Sequence, residues 1–90
     1  MIMKWTDYQT EVEYKMALAA KAELAIRSGL KEVDGMEPRS AARDVYVAIV
    51  EDCKYALSSS LPPKARKYFD WKRQYAAEKA RHLDCPPQPG

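Results

Sequence analysis

Ninety residues make one small domain, with 47% apolar and 31% charged side chains, so the chain is globular rather than disordered. Its core is modest, which argues against a bound dinucleotide or other large cofactor. The formal charge of +2 is too small to argue for nucleic-acid binding by itself.

The distribution of charge says more. Residues 1–37 hold five basic and seven acidic side chains, residues 38–60 three of each, and residues 61–90 seven basic and three acidic. The positive charge therefore sits in the last third. Lys4 follows Met1-Ile2-Met3 at once, with no apolar stretch of signal-peptide type after it, and no run approaches the roughly 18 apolar residues of a membrane span. A cytoplasmic protein is the expectation.

The first helix is expected over about 7–28. Thr6-Asp7-Tyr8-Gln9 has the form of a capping box, and Tyr8 to Arg27 is free of Pro and Gly and rich in Ala, Leu, Glu and Lys. Gly29 fits a left-handed C-terminal cap. Tyr8, Val12, Met16, Ala19 and Ile26 form one stripe at helical spacing, and Tyr14, Leu18, Ala22 and Ala25 form a second beside it. An arc this wide predicts two packing neighbours, or one neighbour and an external partner. Trp5 is placed to staple the helix to the bundle.

Asp34-Gly35 marks a turn in the first connection, where Leu30, Val33 and Met36 are candidates to cover one end of the bundle. The second helix is expected over about 38–58, opened by Pro38 and stopped at Ser58-Ser59-Ser60. Ala42, Val45, Tyr46, Ile49, Val50, Cys53, Ala56 and Leu57 share one continuous face, while Val47 and Tyr55 fall outside it.

The third helix is expected over about 63–83, with Ala65, Phe69, Ala76, Ala80 and Leu83 on its core face. Residues 84–90 form a flexible Pro-rich tail. The predicted fold is all-α, a compact antiparallel three-helix bundle spanning residues 1–83.

Motifs that carry chemistry are missing. There is no G-x-G-x-x-G, Walker loop, H-E-x-x-H, C-x-x-C or G-x-S-x-G. His82 is the single histidine and reads as a solvated side chain near a helix C-terminus. Cys53 reads as a small apolar core residue and Cys85 as an exposed free thiol. Antiparallel helices hold the two on the order of 25 Å apart, beyond disulfide reach. Asp44, Glu51 and Asp52 read as a solvated face rather than an acid–base pair. No cofactor, metal site or catalytic residue is expected.

The informative segment is the third helix. Tyr68, Trp71 and Tyr75 lie beside its core face, and Lys64, Lys67, Lys72, Lys79 and His82 share their arc. Two readings stand. The tyrosine rings can form a core edge covered by lysine stems. Alternatively, Lys64, Lys67, Tyr68, Trp71, Lys72, Tyr75 and Lys79 form a partner-binding surface, since aromatics on a basic flank make interface hot spots and also stack on bases.

The function expected is that of a non-enzymatic protein-interaction module. Small helical proteins of this kind include phage- and mobile-element-encoded inhibitors that sterically block a host or defence complex, a likeness of class that rests on no family motif. The alternative is a nucleic-acid-binding domain using the basic-aromatic third helix. A homo-oligomer is compatible with both.

Overall fold

A computed structural model describes residues 4–84. Three helices follow in chain order: α1 (Trp5–Arg27), α2 (Pro38–Leu57) and α3 (Pro63–Asp84). The domain is an all-α three-helix bundle. Residues 85–90, hence Cys85 and most of the expected tail, lie outside the described residues, as do residues 1–3.

Local chemistry explains each boundary. α1 starts two residues earlier than the Thr6 cap predicts. Lys4 is its N-cap, and the Asp7 carboxylate accepts from the Lys4 backbone N–H at 3.2 Å. This is the return half of a capping box; lysine has no acceptor with which to supply the forward half. Thr6 lies inside the first turn, where its carbonyl accepts from Thr10.

α1 closes with a Schellman arrangement. Leu30 N–H bonds Ala25 C=O at 3.0 Å, Gly29 N–H bonds Ile26 C=O at 3.1 Å, and Gly29 takes φ +73°. Asp34 and Gly35 both have positive φ, and Val33 and Met36 exchange two backbone hydrogen bonds around them. Asp-Gly is the pair that such a doubly left-handed turn favours.

The N-terminus of α2 is capped by Glu37, whose carboxylate accepts from the backbone N–H groups of Arg39 and Ser40, each at 3.0 Å. These bonds stabilise the charged form and hold the Glu37 carboxyl below its ordinary value. At the other end, the hydroxyls of Ser58 and Ser59 donate to the carbonyls of Tyr55 and Ala56. The serine run thus satisfies carbonyls that the ending helix leaves without partners. α3 runs one residue beyond its expected end: Asp84 is helical and pairs with Arg43 at 3.1 Å.

Side-chain pairs set the directions. Lys15 of α1 pairs with Asp52 of α2, and Glu23 with Tyr46, so these helices are antiparallel. Arg39 of α2 donates to the carbonyls of His82 and Leu83, so α3 is antiparallel to α2 and parallel to α1. α2 is the central helix. Both α1 and α3 approach its backbone closely, whereas α1 and α3 are joined chiefly by long side chains.

The core lies along α2. Val12, Ala19, Tyr46, Ile49, Cys53, Ala56, Ala65, Phe69 and Ala76 form the main buried cluster, and Ala22, Ala41 and Ala42 a smaller one. Alanines let the backbones approach. Tyr46, Phe69 and Ile49 are the largest fully buried side chains, and burial stabilises by about 1.5–3 kcal/mol for a side chain of the Val, Leu, Ile, Phe or Met kind. Trp5 packs on the edge of the main cluster, as its staple position predicts. Of the three residues expected to cover one bundle end, only Val33 packs against the core; Leu30 and Met36 are exposed.

Candidate functional site

Five of the seven candidate residues of α3 touch in one run, Tyr68, Lys72, Trp71, Tyr75 and Lys79, and the seven differ in what α1 places opposite each.

Tyr68 and Lys72 belong to a seam with α1. The Tyr68 hydroxyl donates to the Glu13 carboxylate, and Lys72 Nζ lies 3.9 Å from the same group. Tyr68 packs edge-on to Phe69, with ring centroids 5.1 Å apart. Burial, reinforced by the Glu13 hydrogen bond, pushes the Tyr68 hydroxyl well above its ordinary value. It acts as a donor, not as an acid.

One helical repeat on, Lys79 Nζ bonds Glu23 Oε1 at 2.9 Å, while Glu23 Oε2 accepts from Tyr46 at 2.7 Å. Burial opposes ionisation of Glu23, but the bonds from Tyr46 and Lys79 outweigh it and hold the carboxyl below its ordinary value. The same bond raises Lys79. Both lysines are thus spent on α1 glutamates, and their stems cover aromatic faces: Lys72 Nζ stands 5.4 Å from the Tyr68 centroid and Lys79 Nζ 5.8 Å from that of Tyr75.

Trp71 is different. Its ring stacks on Tyr75 with centroids 5.4 Å apart and planes within 9°, and Lys72 Nζ lies 5.2 Å from its centroid, yet 58% of the residue is exposed. Tyr75 in turn meets buried Tyr46 edge-on at 6.2 Å. A ladder of rings therefore connects the core to a solvent-facing indole. Trp71 and Tyr75 open onto a shallow groove of about 650 Å³, whose other walls are Gln74, Glu78, Lys79, His82 and Leu83 of α3, Glu23 of α1 and Arg39 of α2.

Lys64 and Lys67 are exposed in the first turns of α3 beside exposed Arg66, and Lys64 lines a small pocket with Tyr68 and with Trp5 and Gln9 of α1. Cations at a helix N-terminus oppose the helix dipole, so they add nothing to helix stability.

The sequence reading missed Gln74 and Glu78, although both follow Trp71 at i+3 and i+7 and so share its face. It also missed Glu23 and Arg39, which come from other helices and leave no signal within α3.

The remaining chemical candidates lie in separate surroundings. Cys53 is wholly buried, and burial pushes its thiol up to about 11, away from a reactive thiolate. Asp44, Asp52 and Glu51 each pair with a separate cation, Arg43, Lys15 and Lys54. His82 is exposed beside Glu78 at 3.4 Å. Among the described residues there is no cluster of three His, Cys, Asp or Glu placed to hold a metal ion, and no helix long and apolar enough to cross a membrane. Compared with known proteins, the chain matches no protein family, no curated protein and no solved structure.

Proposed function

We propose that the chain is a non-enzymatic protein-interaction module whose hot spot is Trp71. One observation carries this reading: the largest exposed aromatic of α3 is held against Tyr75 and Lys72 and faces a groove with mixed polar walls. A ring ordered before binding gives up little entropy when a partner covers it, and Trp is among the residues most enriched at hot spots. The groove walls carry Glu23, Glu78, Arg39 and Lys79, both signs together, which fits a protein surface better than a phosphate backbone. A steric inhibitor of a larger complex, of the kind that phages and mobile elements encode, is the form we favour for such a module.

The test is quantitative capture of partners from host extract on immobilised wild-type and Trp71→Ala protein, followed by affinity measurement on the captured partner. The substitution is expected to weaken binding by about 2 kcal/mol, roughly thirtyfold, with the circular dichroism spectrum unchanged. Equal capture by both proteins would refute the assignment.

A nucleic-acid reading keeps one supporting observation, the exposed trio Lys64, Arg66 and Lys67. It predicts a mobility shift that grows as salt falls and that Lys64→Ala with Lys67→Ala abolishes. Lys72 and Lys79, engaged by Glu13 and Glu23, contribute little to it.

A further inference from the structure

The face of the bundle turned away from α3 holds a second groove. It is lined by Tyr14, Leu18 and Ala22 of α1, by Ala41, Val45 and Ala48 of α2, and by Val33 and Met36 of the connection, with no residue of α3. Tyr14 is 62% exposed and Met36 41% exposed. Tyr55, 61% exposed, follows Ala48 by seven residues and so continues the same face of α2. Among the described residues no other element lies over Tyr14, Met36 or Tyr55, so three large apolar side chains stand open on one side of the bundle.

We propose that this face binds a second copy of the chain about a two-fold axis parallel to the helices, so that α1 of each copy lies on α2 of the other. The ties Lys15–Asp52 and Glu23–Tyr46 set the level of α1 against α2. Counted from those ties, Tyr14 stands opposite Cys53, within about 3 Å along the axis of Tyr55, and Lys21 stands opposite the turn around Val47. Rotation about an axis along the helices preserves those levels. It brings Tyr14 of one copy to Tyr55 of the other, twice, and Met36 to its own counterpart.

Charge favours the same arrangement. Lys15 and Asp44 line the groove, paired within the chain with Asp52 and Arg43, and helical spacing puts Lys21 on the face of Tyr14 and Glu51 on the face of Ala48. Crossing α1 onto the second copy's α2 sets Lys21 against Asp44. Packing α2 on α2 would instead bring Asp44 and Glu51 toward their own counterparts, with only Arg43 and Lys54 beside them. Glu11, the carboxylate of α1 beside Tyr14, is already held by Lys15 at 4.0 Å, and Asp34 by Lys21 at 3.0 Å. Exposed pairs of this kind are weak enough to exchange partners when a second copy arrives. The product is a closed, isologous dimer with four antiparallel helices at its centre and one α3 on each outer side. Both Trp71 grooves stay open, so the dimer offers two binding sites at once.

Sedimentation equilibrium on the full chain over a range of concentrations tests this. The expected mass is twice the 10.3 kDa of one chain. Tyr14→Arg, at an exposed position, is expected to raise the dimer dissociation constant about tenfold or more while the helical spectrum is kept. Lys21→Asp and Asp44→Lys are each expected to weaken the dimer, and the double variant to restore it. Trp71→Ala is expected to leave the mass unchanged, which separates this surface from the partner site. A monomeric wild type at every concentration, a Tyr14→Arg protein that dimerises as tightly as the wild type, or no rescue by the double exchange would overturn the proposal.

Discussion

The Tyr46 hydroxyl of α2 donates to one oxygen of Glu23 on α1, and Lys79 of α3 donates to the other, so a single carboxylate ties all three helices together. Tyr46 is almost wholly buried and lies between the core and the outer rings through its edge contact with Tyr75. Removing its hydroxyl takes one donor from a charged acceptor without opening a cavity. Tyr46→Phe is expected to lower the free energy of unfolding by about 1.5–3 kcal/mol in a urea titration. Lys79 remains on Glu23, which places the outcome near the lower end.

Acid should act through the same junction. The Glu23 carboxyl is held below its usual value of 4.5 in the folded protein. Its contribution is therefore complete above that value and lost as pH falls through the lower folded value. Glu37 behaves alike through its backbone hydrogen bonds. Melting temperature is expected to be flat from pH 7 to about 5 and to fall below the carboxylate range. Glu23→Gln should be less stable at neutral pH and should show a shallower acid loss, as read by thermal melts at a series of pH values.

Phe69 and Trp71 lie two residues apart on α3 and answer to truncation in opposite ways. Phe69 is fully buried in the main cluster, so Phe69→Ala is expected to cost about 3–5 kcal/mol, a large part of the stability of a domain this small. Trp71 is more than half exposed, so Trp71→Ala is expected to cost less than about 1 kcal/mol, mostly from the lost Tyr75 stack. Denaturant titration of the two variants side by side checks the contrast.

The thiol of Cys53 gives a readout of opening. With no exposed surface and its thiol pushed up to about 11, it should resist a disulfide reagent at pH 8 in the native protein and react at once in denaturant. Measured in a Cys85→Ser background, its labelling rate should follow the population of the opened state. Phe69→Ala should accelerate it and Trp71→Ala should leave it nearly unchanged. Fast native labelling would contradict the packing of α2 against α3.

The helices were legible because their signals are local. Gly29 as a left-handed cap, Asp34-Gly35 as a turn, Pro38 at the first position of α2 and Ser58-Ser59 as its stop each act through neighbouring backbone atoms. The misplaced start of α1 is also local: two cap arrangements overlap in Lys4 to Gln9, and Asp7 bonding Lys4 prevails over Thr6 with Gln9. The Glu37 cap went unread because glutamate is not among the residues that ordinarily cap helices; here its longer side chain folds back onto Arg39 and Ser40.

The division of the α3 arc could not be read this way. On a helical wheel Lys72 and Lys79 look the same as Lys64 and Lys67. What separates them is Glu13 and Glu23, which stand more than fifty residues earlier in the chain and reach α3 only once both outer helices have packed on α2. The sequence by itself determined three amphipathic helices, their order and the positions that face the core, because periodicity and caps act within a few residues. Only the tertiary structure decided that Tyr68 and Tyr75 complete the core edge while Trp71 stays open, because exposure depends on which side chains arrive from elsewhere in the chain.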